Sequence, residues 1–173
     1  LSDNCGNAAA DQVQTITIRD NTAPTFTRPI DVTIYTSATC TYDAGVGATG
    51  DVTNEADNCS TGLQATFDDV TVAGPCEGSH VITRTWHLVD NCSNAAADQV
   101  QTITVSDNTA PTFTAPGAIT VYTDANCEYS VATTATGDVS DEADNCDKTA
   151  IQATYTDATP VAGACAGSYM ITR

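Results

Sequence analysis

The chain has 173 residues, with 22 acidic and 5 basic side chains and a formal charge of −17. It has no basic stripe to displace counterions from phosphate, so nucleic acid is excluded as a partner, and an anionic membrane surface is disfavoured on the same ground. Eight cysteines point to an oxidising compartment, secreted or on a cell surface, and no leader peptide or apolar run long enough to insert in a membrane is present.

Thr, Val, Ile, Gln and Tyr fill short alternating runs, and no stretch has a helical period, so an all-β chain is expected. The first such run is Gln14–Ile18, and it leads into Asp20-Asn21-Thr22-Ala23-Pro24-Thr25-Phe26. The same seven residues return at 107–113, again after a β-like run, Gln101–Val105. Proline cannot donate to a ladder and restricts the residue before it, so Pro24 and Pro111 mark joints between modules. Val32–Tyr35 alternates as a strand, as does Ile119–Tyr122, and Cys40–Ala44 opens the next strand. An acidic loop follows at 50–58, and then Leu63, Ala65 and Phe67 share a face. Val81–Val89 is expected as the longest strand, with Ile82, Trp86 and Leu88 on one face. Arg84 falls on that apolar face with no partner visible in sequence. The turn Asp90–Asn94 leads to a last strand, Val100–Val105.

These elements repeat. Asp3-Asn4-Cys5 returns at 90–92, Cys40 at Cys127, and Glu55–Cys59 at Glu142–Cys146, all at an offset of 87. Two further residues widen the offset to 89, so that Cys76 returns as Cys165 and Arg84 as Arg173. The insertions are expected in a surface loop near Asp68–Val72 and its counterpart Thr156–Val161. Residues 1–19 are read as the last strand of a preceding module and 20–106 as a complete module. Residues 107–173 are read as a second module lacking its final strands. Only three residues, the counterparts of Thr85-Trp86-His87, separate Arg173 from the counterpart of Leu1, which is the pattern of a longer tandem array. Short strands with turn signals every ten residues or so read as a two-sheet sandwich. Modules this small bury limited apolar area, so covalent or metal staples are expected.

Glu-Ala-Asp-Asn-Cys, Val-Ile-Thr-Arg-Thr-Trp-His-Leu-Val-Asp-Asn-Cys-Ser-Asn and Gln-Thr-Ile-Thr-Val-Ser-Asp together resemble the hyalin-repeat (HYR) family. They resemble most the four-cysteine HYR-like domains strung together in very large bacterial surface proteins. The resemblance covers both modules. It implies tandem immunoglobulin-like β-sandwich modules with a role in extracellular adhesion or stalk building; that these modules are disulfide-stapled is an expectation that rests on the cysteines themselves. The joint Asp-Asn-Thr-Ala-Pro-Thr-Phe also looks like the calcium-binding linkers of cadherins.

Four cysteines per module allow three pairings. In an immunoglobulin-like sandwich, Cys59 and Cys92 would meet at the leading pole, and Cys40 and Cys76 at the trailing pole. Bonds Cys40–Cys76, Cys59–Cys92 and Cys127–Cys165 are therefore expected, with Cys5 and Cys146 finding partners outside the chain. Spacings of 19, 17 and 16 residues contain no Cys-x-x-Cys knuckle, which argues against zinc.

The same sandwich gathers three acidic or amide clusters at the leading pole: Asp20 and Asn21, then Asp51, Asn54, Glu55 and Asp57, then Asp90, Asn91 and Asn94. Asp and Asn populate ordinary turns, but carboxylates gathered at one pole repel without a cation. Calcium takes six to eight oxygens from such a mixture. No EF-hand order is present. The expected calcium ligands are Asp20, Asn21, Glu55, Asp57, Asp90 and Asn94 at one joint, and Asp107, Asn108, Glu142 and Asp144 at the next.

No nucleophile elbow, phosphate loop or zinc-protease helix appears, and the chain is not expected to be an enzyme. Its histidines are His80 and His87, and the first is Tyr169 in the second copy. Three functions compete. The first is a segment of a long extracellular stalk, adhesin or filament whose partners are neighbouring modules and like chains in a fibre. The second is a glycan-binding module that uses aromatics such as Tyr35 and Tyr122, and the third is a spacer of a secreted hydrolase.

Overall fold

A computed structural model describes residues 1–149 and 151–173. The chain is β-rich, with several small sheets and two single-turn helices. It forms two compact units. One comprises 1–29, 51–68 and 84–101, and the other comprises 30–50, 69–83 and 102–173.

The first unit contains β1 (Thr25–Thr27) and β3 (Thr53–Ala56), paired antiparallel with a register shift. The shift is made at Asn54, which adopts φ 57°. A left-handed residue costs least when its short side chain can bond locally, as an Asn amide does. Trp86, Leu88 and Phe26 form the core of this unit, with Val52, Leu63, Ala65 and Ala96 packed against them. Trp86 and Leu88 lie on the apolar face expected from their spacing. Arg84 is buried among them, its guanidinium 3.9 Å from the centroid of the Phe67 ring.

The second unit has its own apolar cluster of Ile82, Ile103 and Val105, flanked by Val32, Ile34 and Ala44. It repeats the β1/β3 pair as β7 (Thr112–Thr114) and β8 (Ser140–Ala143), with Asp141 again at φ 57°. A short hairpin joins β9 (Val161–Ala162) to β10 (Tyr169–Met170). The largest sheet has the order β2-β6-β5-β4, formed by Val32–Tyr35, Gln99–Ser106, His80–His87 and Thr66–Ala73. β2 runs parallel to β6, with Val32 opposite Ile103 and Ile34 opposite Val105.

Several sequence expectations are corrected. Cys40–Ala44 forms no strand. The Ser37 amide donates to Thr41 O at 2.7 Å, which closes a turn, and a one-turn helix α1 (Val46–Thr49) follows. A second such helix, α2, spans Thr133–Thr136. Asp68–Val72 is not a loop but lies within β4, whose apolar Val70 and Val72 extend the alternation. Gln14–Ile18 and Ile119–Tyr122 lie in no strand.

The disulfide pairing is also corrected. Cys40 is bonded to Cys146, with an S–S distance of 2.04 Å, across 106 residues. Cys59, Cys76, Cys92, Cys127 and Cys165 are free and exposed, as is Cys5. Two contacts seat Cys146 over Cys40 and leave Cys76 aside. Asn145 Nδ2 donates to Ser37 O at 2.9 Å, which fixes the residue before the bond. Gly78 supplies the room, since a Cβ there would lie 2.4 Å from Cys146 Sγ and 3.0 Å from Cys40 Sγ. Cys76 is held in its own turn, where its amide donates to Ser79 Oγ at 3.1 Å.

Candidate cation site

Asp20, Asp57 and Asp90 come from three separate stretches of the first unit, yet their carboxylates converge, with one oxygen from each within 4.8 Å of the others. Local hydrogen bonds aim each of them. Asp90 sits in an Asp-Asn-Cys-Ser-Asn turn, where its Oδ1 accepts from the Cys92 amide at 2.8 Å and the Asn94 amide at 2.7 Å. Its Oδ2 accepts from Asn94 Nδ2, also at 2.7 Å. Asp57 Oδ2 accepts from the amides of Cys59 and Ser60, both at 2.8 Å. Asp20 Oδ1 accepts from the Thr22 amide at 3.0 Å and from Asn58 Nδ2 at 3.4 Å.

The remaining oxygens decide the chemistry. Asp20 Oδ2 and Asp57 Oδ1 are shut off from solvent and have no hydrogen-bond partner. A desolvated carboxylate oxygen without a donor is costly, and two beside a third carboxylate are costlier still. Protonation is not the remedy the site favours. Backbone donation from Cys59 and then Ser60 holds the Asp57 carboxyl below its ordinary value of 3.8. At Asp90, burial pushes the value up, but the side-chain and backbone donation of Asn94 outweighs it and the net shift is also downward. A hard cation with oxygen ligands answers the orphaned oxygens and the like charges together.

The expected ligands divide three ways. Asp20, Asp57 and Asp90 meet. Asn94 turns its amide nitrogen to Asp90 and, at 3.3 Å, to the Asp20 carbonyl oxygen, so it braces the site. Glu55 is engaged elsewhere, its Oε1 accepting from the Ala65 amide at 2.6 Å, and Asn21 is exposed.

In the second unit, Asp107 Oδ1 accepts from Thr36 Oγ1 at 3.1 Å and from the Thr109 amide at 3.0 Å, while Asp144 Oδ1 accepts from the amides of Cys146 and Asp147. Glu142 repeats the role of Glu55 and accepts from the Ala153 amide at 2.7 Å; Asn108 is exposed. Asp107 and Asp144 are the counterparts of Asp20 and Asp57 at an offset of 87.

The sequence placed the converging residues in one region but did not separate ligand from brace. Glu55 and Glu142 each stand two residues before an Asp of the set, and only the backbone amides of Ala65 and Ala153, which donate to them, show why they turn away. The Cys59 thiol is pushed up by burial and by the charges of Asp20 and Asp57, with Cys92 close enough to add to the shift. No helix among the described residues is long and apolar enough to cross a membrane. No family model, curated protein or solved structure matches the chain.

Proposed function

We propose that the chain is a segment of a long, repetitive extracellular stalk or filament, built of tandem immunoglobulin-like sandwich modules, with calcium held where one module follows the next. The observation that carries this reading is the pair of buried, partnerless oxygens on Asp20 and Asp57, beside Asp90. Asp20 belongs to the linker heptapeptide, whereas Asp57 and Asp90 belong to loops of the module that follows it. A cation bound to all three would tie linker to module and screen their charges. The repeat of 87 residues, the cysteine content and the HYR-like motifs support the extracellular array.

Short linkers without a cation bend freely, because contacts between modules are usually small and polar. An ion that binds only the docked state stabilises it by about 2.7 kcal/mol at a hundredfold excess over its dissociation constant. Calcium should raise the melting temperature and lengthen the particle in small-angle scattering, and Asp57→Ala should abolish the thermal shift. Melting and maximum dimension that are unchanged by chelator would refute the cation role.

A further inference from the structure

Asp20, Asp57 and Asp90 lie on three separate stretches of the first unit: the linker, the loop 57–60 and the turn 90–94. Each pair of stretches is cross-linked by one side chain that is not a carboxylate. Asn94 Nδ2, in the turn, donates to the linker at Asp20 O, 3.3 Å away. Asn58 Nδ2, in the loop, donates to the linker at Asp20 Oδ1, 3.4 Å away. Ser60 Oγ, in the loop, accepts from the turn at the Asn91 amide, 3.3 Å away. The three contacts close a ring around the carboxylates. The third is the most shielded, because Ser60 is buried, as is Asp90, whereas Asn58 is exposed.

The second unit separates what the serine does from what the loop does by itself. Asp147 stands at the place of Ser60 and Thr149 at that of Gly62, both at an offset of 87. The backbone contacts are the same in both loops. The amides of Cys146 and Asp147 donate to Asp144 Oδ1 at 2.9 and 2.8 Å, as those of Cys59 and Ser60 do to Asp57 Oδ2. Asn145 keeps the contact of Asn58, its Nδ2 donating to Asp107 Oδ1 at 3.3 Å. The side chain at the third place is used differently. Asp147 Oδ1 is spent locally, accepting from the Thr149 amide at 2.9 Å and from Thr149 Oγ1 at 2.6 Å. Gly62 offers Ser60 no such hydroxyl. The loop thus closes without a serine, and the Ser60 hydroxyl serves the contact with the turn instead.

We propose that Ser60 is a positioning residue of the cation site: its hydroxyl holds the loop 57–60 against the turn 90–94, so that Asp57 and Asp90 converge before an ion arrives. This rests on the cation reading above and adds to it the means by which like charges are kept together in the empty site. Two carboxylates this close repel, so the stretches that carry them drift apart unless something other than the ion joins them. An ion that meets preset ligands is spared the cost of ordering loop and turn as it binds. Removing the brace therefore weakens the ion's hold and leaves the loop's own amide contacts to Asp57 in place.

The test measures calcium affinity by titration calorimetry on the whole chain, with the hydrogen bond removed from either end. Ser60→Ala removes the acceptor. Asn91→Pro removes the donor, at the second position of the turn that the Ser93 amide closes on Asp90 O at 3.2 Å, a position that proline favours. Each single variant should bind calcium about tenfold more weakly than the unaltered chain, and the double variant no more weakly than either, because both delete the same contact. Losses that multiply, to about a hundredfold in the double variant, overturn the proposal. Unaltered affinity in Ser60→Ala or in Asn91→Pro also overturns it. Should one variant fail to fold, the other decides alone. The unaltered chain reports on the cation reading by itself. No calcium uptake there overturns both readings, whereas uptake that Ser60→Ala leaves unchanged overturns this one only.

Discussion

Arg84 shows what a side chain's neighbours across strands can do that its own strand does not reveal. Alternation placed it on the apolar face with Ile82 and Trp86, and no position near it in sequence answered its charge. The Phe67 ring does so from β4, 3.9 Å from the guanidinium, with the Trp86 ring at 5.6 Å. A desolvated cation–π contact is worth about 2 kcal/mol, and the stem adds packing. Arg84→Ala should therefore lower stability by about 2 to 3 kcal/mol, read as a lower urea midpoint. Arg173 makes the same contact with Tyr155, also at 3.9 Å, and an ion pair with Asp157. Phe67 and Tyr155 are 88 positions apart, as are Ala65 and Ala153, which bond to the equivalent Glu55 and Glu142. One inserted residue therefore lies before Ala65 and the other between the counterparts of Thr71 and Val72, within the stretch that is β4 in the first copy, so the two do not share a single loop. Acid should act at the same scale. The carboxyls of Asp57 and Asp90 titrate lower in the folded chain than their ordinary value. Their contribution is thus fully present above the unfolded carboxylate value and is lost as pH falls through the folded one. Calorimetric melting should be flat from pH 7 to about 5 and should fall below about pH 4.

At the scale of the element, part of the repeat is visible as matching local structure. β1/β3 and β7/β8 share register and bulge, because Asn54 and Asp141 both tolerate positive φ. The turns Asp3–Asn7 and Asp90–Asn94 are self-contained, each carboxylate closing its own loop, so they were legible from five residues of sequence. Disulfide partners were not legible, because pairing within one module treats its loops as the only candidates. Cys146 enters from the next repeat, and a glycine makes room for it. Gly78 has φ 76°, so Gly78→Ala adds backbone strain to a steric overlap with Cys146 Sγ. That variant should leave Cys40 and Cys146 open to alkylation in the native chain, read by mass. An intact bond in Gly78→Ala would show that the turn yields.

For the whole molecule, a single bond between residues 106 apart constrains the unfolded ensemble more than any local staple. The loop-entropy estimate for a closed loop of about 100 residues is about 4.7 kcal/mol. Cys40→Ser should lose up to that amount in denaturant unfolding, and a loss under about 1 kcal/mol would mean that the reduced chain retains structure there. Composition and repeat length foretold strands and staples at this scale, but not how far apart in sequence the staple would reach.

The bond also changes what tension does to the chain. Pulled from Leu1 and Arg173, the force runs along the backbone to Cys40, crosses the two sulfurs to Cys146 and leaves by the last 27 residues. Everything between is held out of the line of force as slack of roughly 350 Å, the reach of about 106 extended residues. Under load, the Cys40–Cys146 bond and the segments outside it would carry the tension, while the residues between stayed folded and unloaded. A reductant would act as its release catch.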